Sequence, residues 1–435
     1  MFNDRMVFIL NRDCFLVKGI KEGAIYNLTT GDIYSIDADS VDILDKCENR
    51  IPVNQILQKM LSKIDPKEIL DYFKELKSLN LGDFSSKYRI VDKVTLKQPR
   101  KKLDFIWLEL TRKCNLKCLH CYANSGLEVN RIAKNDLLNL NQWERIIQEA
   151  FDAGCKKLQF IGGEPLLMGK GLYPLIELTE ELGYELVEIF TNATMFIEES
   201  INFLAKHNVQ VAISIYSKNP EIHDKITTQK GSFQKTIKNL HRLQDSGVKI
   251  RLATVVMKQN EDYVEETLNF LEELVGSKSQ RSFDIIRSVG RGSKTEISTD
   301  KFNSCKLKKE PVFFKITREE FIRNKNGHSC WQGKLCIVSD GSVIPCIMAR
   351  EEICGNIKNQ SLEDVISGNN LQNLWNLSKD HIEICQDCEF RYACFDCRSM
   401  IKGETGSLYA RGDNCSYDPY QGEWGYCRGK EVSVC

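Results

Sequence analysis

No apolar run among the 435 residues approaches the roughly 18 that a membrane helix needs, so a transmembrane protein is not expected. Net charge is missing too: 60 Lys and Arg balance 60 Asp and Glu. That balance argues against a dominant polyanion partner such as duplex DNA and leaves room only for a local basic patch. The opening MFNDRMVFILNRD carries a short apolar run broken by Asn11 and Arg12, which is no secretory signal, and Cys435 at the end forms no prenylation box. No repeat of solenoid period is present. These absences point to the cytoplasm. What the chain does have is length for about three domains and 42% hydrophobic residues, enough for a real core. It also has 18 cysteines, eleven of them between Cys330 and Cys435. A disulfide array of that density would need export; in a reducing cytosol it means metal.

Residues 1–95 read as a small separate unit. Strand-like runs at Val7–Leu10, Cys14–Val17, Ala24–Leu28 and Ile33–Ile36 precede helical patterns at Ser40–Lys46, Pro52–Leu61 and Lys67–Leu79. Thr29-Thr30-Gly31-Asp32 predicts a hairpin turn, and Asp65-Pro66 a helix start. The pattern predicts a winged-helix-like domain, followed by a basic, Pro-containing linker at 97–102. From 103 to 300 strands and helices alternate about six times. The strands are Phe105–Thr111, Lys157–Ile161, Leu186–Thr191, Val209–Ile215, Lys249–Val256 and Phe283–Ile286. Asn141-Gln142-Trp143-Glu144 is expected to cap the first helix. This is the signature of an α/β fold with a parallel sheet or barrel, whose ligands collect at the C-terminal strand ends. Residues 301–435 begin with a connection of unclear pattern and become Cys-rich and loop-rich, with a hairpin expected at Asp340-Gly341. Such a region needs staples, and bound metal would supply them.

The first strand runs into Cys114-Asn115-Leu116-Lys117-Cys118-Leu119-His120-Cys121. Three thiolates leave a fourth metal position open, and an open position is where chemistry happens. Soft thiolates suit an iron–sulfur cluster or zinc, and on spacing alone a zinc knuckle completed by His120 fits as well. Gly162-Gly163-Glu164-Pro165 follows the second strand, Asn192 the third, and Ser214 ends the fourth. Alone, these are ordinary turn and capping residues.

Cys114-x3-Cys118-x2-Cys121-Tyr122 at the end of the first strand of a βα series resembles the radical SAM superfamily. The resemblance implies a partial (β/α)6 TIM barrel and a 4Fe–4S cluster on Cys114, Cys118 and Cys121. The open iron of that cluster would be chelated by S-adenosylmethionine (SAM). One electron cleaves the sulfonium to methionine and a 5′-deoxyadenosyl radical, which takes a substrate hydrogen; that chemistry belongs to the cofactor. The implied SAM contacts are Tyr122, Gly162, Gly163 and Glu164, with Asn192 and Ser214 on the ribose or carboxylate. His223-Asp224, before Gly231-Ser232-Phe233, matches a family stretch that either lines the substrate side or braces a loop. Gly290-Arg291-Gly292 is similar to the family's barrel ending. No catalytic acid or base is named.

The C-terminal array is Cys330-x10-Gly341-x4-Cys346, then Cys385-x2-Cys388-x5-Cys394-x2-Cys397, then Cys415. Seven or more ligands make two metal sites the simplest count. The spacing resembles the SPASM domain, with one departure: the last gap of the quartet is two residues where the family usually has three. By resemblance one auxiliary 4Fe–4S cluster takes Cys385, Cys388, Cys394 and Cys415. The other takes Cys330, Cys346 and Cys397, making three clusters with the first. Its fourth ligand is expected to be Cys336, with Cys354 or an iron left for a substrate thiolate as alternatives. Cys14, Cys47, Cys155, Cys305, Cys427 and Cys435 read as ordinary thiols.

Residues 1–95 then resemble a PqqD-like element that captures a leader peptide by strand addition. A DNA-binding role is disfavoured by neutral charge and the missing base-reading helix, and a structural cap is the other alternative. The whole is expected to be a cytoplasmic radical SAM maturase of a ribosomally made precursor peptide, forming a thioether, carbon–carbon or ether cross-link. Ferredoxin or flavodoxin would supply electrons, with no nucleic-acid or membrane partner. Epimerisation, sulfatase-type side-chain oxidation and a zinc-stapled binding protein without turnover are the alternatives.

Overall fold

The computed structural model describes residues 5–86, 102–127, 137–276, 283–299, 315–412 and 415–424. Most of the expected linker, and Cys305, Cys427 and Cys435, lie outside them. No described helix is long and apolar enough to cross a membrane.

The N-terminal unit is β-rich, as its alternating apolar runs require. β2 (Cys14–Lys18), β3 (Gly23–Asn27) and β4 (Ile33–Ile36) form an antiparallel sheet in the order β2-β3-β4. Gly31 sits at φ +83°, where glycine carries no Cβ strain, and Asn27 Oδ1 accepts from the Thr29 N–H at 3.0 Å to close the turn. Helices α1 (Ala38–Glu48), α2 (Val53–Met60) and α3 (Pro66–Ser78) follow. The Asp65 side chain caps α3 by accepting from the Lys67 N–H at 2.7 Å. The chain then returns as β5 (Gly82–Ser85) to pair with β1 (Val7–Leu10), a contact that nothing local announces. Phe8 stacks on Phe73 at 4.6 Å in a core shared with Ile25, Leu44 and Ile56. All five residues of β3 are buried because the sheet is covered twice. Its outer face, Phe15 and Tyr26, packs on Phe321 and Tyr392 of the C-terminal region.

The central region has the expected parallel sheet. β6 (Phe105–Glu109), β7 (Lys157–Ile161), β8 (Leu186–Thr191), β9 (Gln210–Ser214), β10 (Ile250–Val256) and β11 (Phe283–Ile285) are neighbours in chain order. Helices α4 (Leu140–Asp152), α5 (Tyr173–Leu182), α6 (Glu198–Lys206), α7 (Pro220–Thr227), α8 (Ser232–Asp245) and α9 (Val264–Val275) lie in the connections. The capping box of α4 is shifted from the expected one. Asn139 caps, accepting from the Gln142 N–H at 3.0 Å, while Gln142 accepts from the Asn139 N–H at 2.9 Å. That register puts Trp143, Ile146, Ile147 and Ala150 on the buried face. The sheet does not stop at β6. β12 (Lys334–Val338) pairs parallel with β6, and β13 (Ser342–Ile344) and β14 (Gly355–Asn356) extend the sheet antiparallel. The Cys-rich region therefore builds part of the barrel wall, with Asp340-Gly341 at its first hairpin. α10 (Arg318–Asn326) precedes it, and α11 (Leu362–Ser367), α12 (Asn369–Trp375) and α13 (Arg398–Thr405) follow.

Candidate active site

The β6 strand ends at Glu109, and the chain turns into the cysteine loop. Cys114, Cys118 and Cys121 face one cavity of about 310 Å³ at the C-terminal ends of the strands. Gly162, Gly163, Asn192, Ser214 and Tyr122 line the same cavity. Five of the six expected SAM contacts are thus brought together with the three thiols. The sixth is placed differently. Glu164 is fully buried and does not line the cavity. Its carboxylate accepts from the Asn192 N–H at 2.9 Å, the Thr191 hydroxyl at 2.7 Å and the Leu166 N–H at 3.0 Å. Burial raises its pKa and those bonds oppose the rise. It braces the end of β7 to the end of β8.

The two glycines serve backbone packing. A Cβ on Gly163 would stand 2.2 Å from the Lys113 carbonyl oxygen, and one on Gly162 would stand 2.5 Å from that of Thr111. The Gly163 N–H donates to the Thr111 carbonyl at 2.6 Å and the Glu164 N–H to Lys113 at 2.9 Å, pinning the entrance of the cysteine loop. Its far side is held by Gly290-Arg291. The Arg291 N–H donates to the Cys121 carbonyl at 3.0 Å and its Nε to the Cys118 carbonyl at 2.8 Å. A Cβ on Gly290 would meet the Tyr122 oxygen at 2.3 Å. Asn192 points its amide at Asn115 Oδ1, 2.9 Å, with Cys114 Sγ at 3.9 Å. Asp224 accepts from the Gly231 and Phe233 N–H groups and the Ser232 hydroxyl, at 2.6 to 2.9 Å, and so braces the start of α8. The His223 ring lies tilted against Tyr216 and edge-on to Phe233, and its Nδ1 accepts from the Tyr216 N–H at 3.3 Å. Of the two roles open to this pair, loop bracing is the one the structure shows.

These residues fit an iron–sulfur cluster with a bound organic ligand. Burial pushes the Cys114 thiol up to about 12 and Cys118 higher, with neighbouring thiols adding to both, so the loop favours thiolates only beside a strong positive centre. His120 is held neutral, pushed down to about 4 by burial and then by Arg291. Its Nδ1, the Ser125 hydroxyl and Arg291 Nη2 are buried around the cavity without a partner among the described residues. Orphaned polar atoms of this kind are rare away from ligand sites. Among the described residues no three ligating side chains close on a point that would hold a single ion. A cubane needs wider spacing, since each thiolate takes a different iron.

The C-terminal thiols fall into two groups. Cys346 is pushed up to about 12 by burial and then by Cys330 and Cys397, with Arg287 opposing. Cys394 is pushed up to about 11 by burial and, with Lys379 opposing, by Cys415 and Cys385; Cys388 is raised by burial and by Cys394 and Cys415. Cys385, Cys388, Cys394 and Cys415 therefore lie near enough to act on one another. In the first, Cys336 stands on the barrel side of β12. It packs with Ile161, Val338 and Ile344 and beside Glu109 and Arg350, and Cys346 is the thiol that acts on it. Cys354 meets Glu352 instead. Arg287 was not singled out from sequence, yet it lines the cavity of the three-thiol loop and is acted on by Cys397, Cys346 and Cys330. The buried pair Glu109–Arg350, Nη2 to Oε1 at 3.0 Å, was also missed; its signal was an acid closing the apolar strand FIWLE.

Residues 108–271 match the Radical SAM superfamily model and residues 330–389 match the SPASM model, an iron–sulfur cluster-binding domain. The chain carries both domains. It is 25% identical to the antilisterial bacteriocin subtilosin biosynthesis protein AlbA of Bacillus subtilis (strain 168), over 96% of this chain and 97% of that protein. It is 24% identical to a cysteine-type anaerobic sulfatase-maturating enzyme of Clostridium novyi (strain NT), over 68% of this chain and 87% of that one. In fold it is similar to Streptococcus suis SuiB bound to precursor peptide SuiA, with TM-score 0.58 and 18% identity over 96% of this chain and all of that one.

Proposed function

We propose that the chain is a radical SAM enzyme that modifies a ribosomally synthesised precursor peptide, cross-linking a core residue. The observation that carries this is the three-thiol loop opening on a 310 Å³ cavity at the strand ends, with two further thiol groups behind it. When bound, SAM and its cluster supply the radical that takes a substrate hydrogen. The protein's part is to position and to exclude solvent. Cys114, Cys118 and Cys121 hold the cluster; Gly163, Glu164 and Arg291 fix the loop that carries them. Tyr122, Gly162, Asn192 and Ser214 would contact SAM. Cys385, Cys388, Cys394 and Cys415 hold one auxiliary cluster; Cys330, Cys346 and Cys397 hold the other. The fourth position of the latter falls to Cys336 or to a substrate thiolate.

In this reading residues 1–95 are the leader-binding unit, 103–300 the radical SAM barrel and 301–435 the connection and SPASM domain. Among described residues β4 pairs only with β3, leaving an edge on which a leader strand could add. The likeness to AlbA and SuiB runs through this unit, whereas the sulfatase-maturating relative covers 68% of the chain; that difference favours a peptide over a sulfatase. Ferredoxin or flavodoxin would be the electron source, in the cytoplasm. The test is anaerobic reconstitution with SAM and dithionite. Formation of 5′-deoxyadenosine and methionine, with roughly twelve irons per chain for three clusters, is expected. No 5′-deoxyadenosine would overturn the assignment.

A further inference from the structure

A second cavity, of about 480 Å³, adjoins the first and shares Tyr122 and Met348 with it. It lies between the loop after β6, the loop that follows β11, the turn at 348–352 and helix α13. The helix comes close because Gly403 has no side chain: a Cβ there would stand 2.4 Å from the Ser288 oxygen. The cavity is polar, and its charges are unevenly matched. Arg350 is paired with Glu109, and Lys402 with Glu352 and, at 3.2 Å, with Glu351. Arg112 has no carboxylate partner among the described residues. Among the described residues its Nη2 reaches only the Ala123 carbonyl, at 3.4 Å, and its Nε is buried with no partner. Ser399, 5% exposed, also lines the cavity and leaves its Oγ buried and unpartnered among the described residues. An unmatched guanidinium and an unmatched hydroxyl in one cavity suit an anionic oxygen, and a fork of N–H donors matches the geometry of a carboxylate.

We propose that this second cavity binds a carboxylate of the substrate peptide, with Arg112 matching its charge and Ser399 bonding the same segment. The residue to be modified then reaches the first cavity past Tyr122 and Met348. The carboxylate belongs to an acidic side chain or to the peptide's C-terminus. This rests on the peptide-modifying reading above.

The test uses cluster-loaded, SAM-bound enzyme under anaerobic conditions and calorimetric titration with four probes. They are acetyl-Gly-Gly-Asp-amide, acetyl-Gly-Gly-Gly with a free C-terminus, the neutral acetyl-Gly-Gly-Asn-amide, and acetate. At least one acidic peptide is expected to bind tenfold or more tightly than the neutral one, and which of the two does so identifies the source. Arg112→Gln is expected to erase that preference at unchanged iron content, Arg112→Lys to keep part of it, and Ser399→Ala to weaken acidic and neutral peptides alike. Equal binding of acidic and neutral peptides, or a preference that survives Arg112→Gln, overturns the proposal. Acetate binding as tightly as the acidic peptides overturns the peptide part of it. If the same preparation makes 5′-deoxyadenosine, any such failure falls on this inference alone; if it makes none, the parent reading has failed.

Discussion

Glu164 separates two accounts of the loop after β7. Resemblance implies a SAM contact, whereas the structure makes the residue a brace. Glu164→Ala leaves the Asn192 and Leu166 N–H groups and the Thr191 hydroxyl without their acceptor. Each buried donor left unpaired costs about 1–3 kcal/mol. The Thr191 hydroxyl can rotate, and the mutation also removes a buried charge, so a net loss of about 2–5 kcal/mol is expected. Glu164→Gln keeps the shape. Its one oxygen can serve Leu166 and Thr191, but its NH2 then faces the Asn192 N–H. Stability should fall by about 1 kcal/mol, because relief of the buried charge offsets the lost bond. Asn192 should shift, and with it the amide 2.9 Å from Asn115 in the cysteine loop. Burial holds the Glu164 pKa up, so in the wild type its charging opposes folding as pH rises past the ordinary carboxylate range; Glu164→Gln should flatten that part of the curve. Anaerobic denaturant titration gives the stabilities, and calorimetry on cluster-loaded protein gives SAM affinity. We expect Glu164→Gln to weaken SAM a few-fold. If it abolishes SAM binding while stability is unchanged, the carboxylate touches the cofactor and the brace account is wrong.

Three further outcomes follow from the packing. Gly163→Ala places a methyl 2.2 Å from the Lys113 oxygen and 2.8 Å from that of Arg112, backbone that cannot yield without moving the cysteine loop. About four of roughly twelve irons should be lost, and full iron with normal SAM cleavage would refute the pinning role. Arg350→Met strands Glu109, which is 0% exposed, and is expected to cost about 3–5 kcal/mol in denaturant unfolding; the double variant with Glu109→Met should recover most of it. Phe321→Ala empties the joint between the N-terminal sheet and the C-terminal region, at about 3–5 kcal/mol. Hydrogen exchange should rise in β2, β3 and Cys385–Cys388 together, because the Ile20 N–H donates to the Asp387 carbonyl at 2.8 Å; a rise confined to β2 and β3 would disprove the coupling.

What was legible in the sequence was what neighbours along the chain decide. Strands Lys157–Ile161 and Leu186–Thr191 agree with the sequence reading to the residue, since an apolar period ends at a cap or a glycine. Cys114, Cys118 and Cys121 were legible as one site for the same reason, lying within eight residues. Contacts between distant segments were not legible. Nothing near Lys334 states that it will lie beside Phe105, yet that parallel pairing turns the Cys-rich region into barrel wall. It also decides the position of Cys336. Spacing alone puts this thiol with Cys330, six residues away. Strand alternation sends Cys336 and Val338 to the inner face of β12 and Leu335 and Ile337 to the other, and Cys346 is near enough to act on Cys336. Once a segment is a strand, parity decides which face each of its side chains joins. The same holds for Glu164, read as a ligand because of where its motif falls. The fold closes three hydrogen bonds on its carboxylate, and the glycines beside it face the cavity instead.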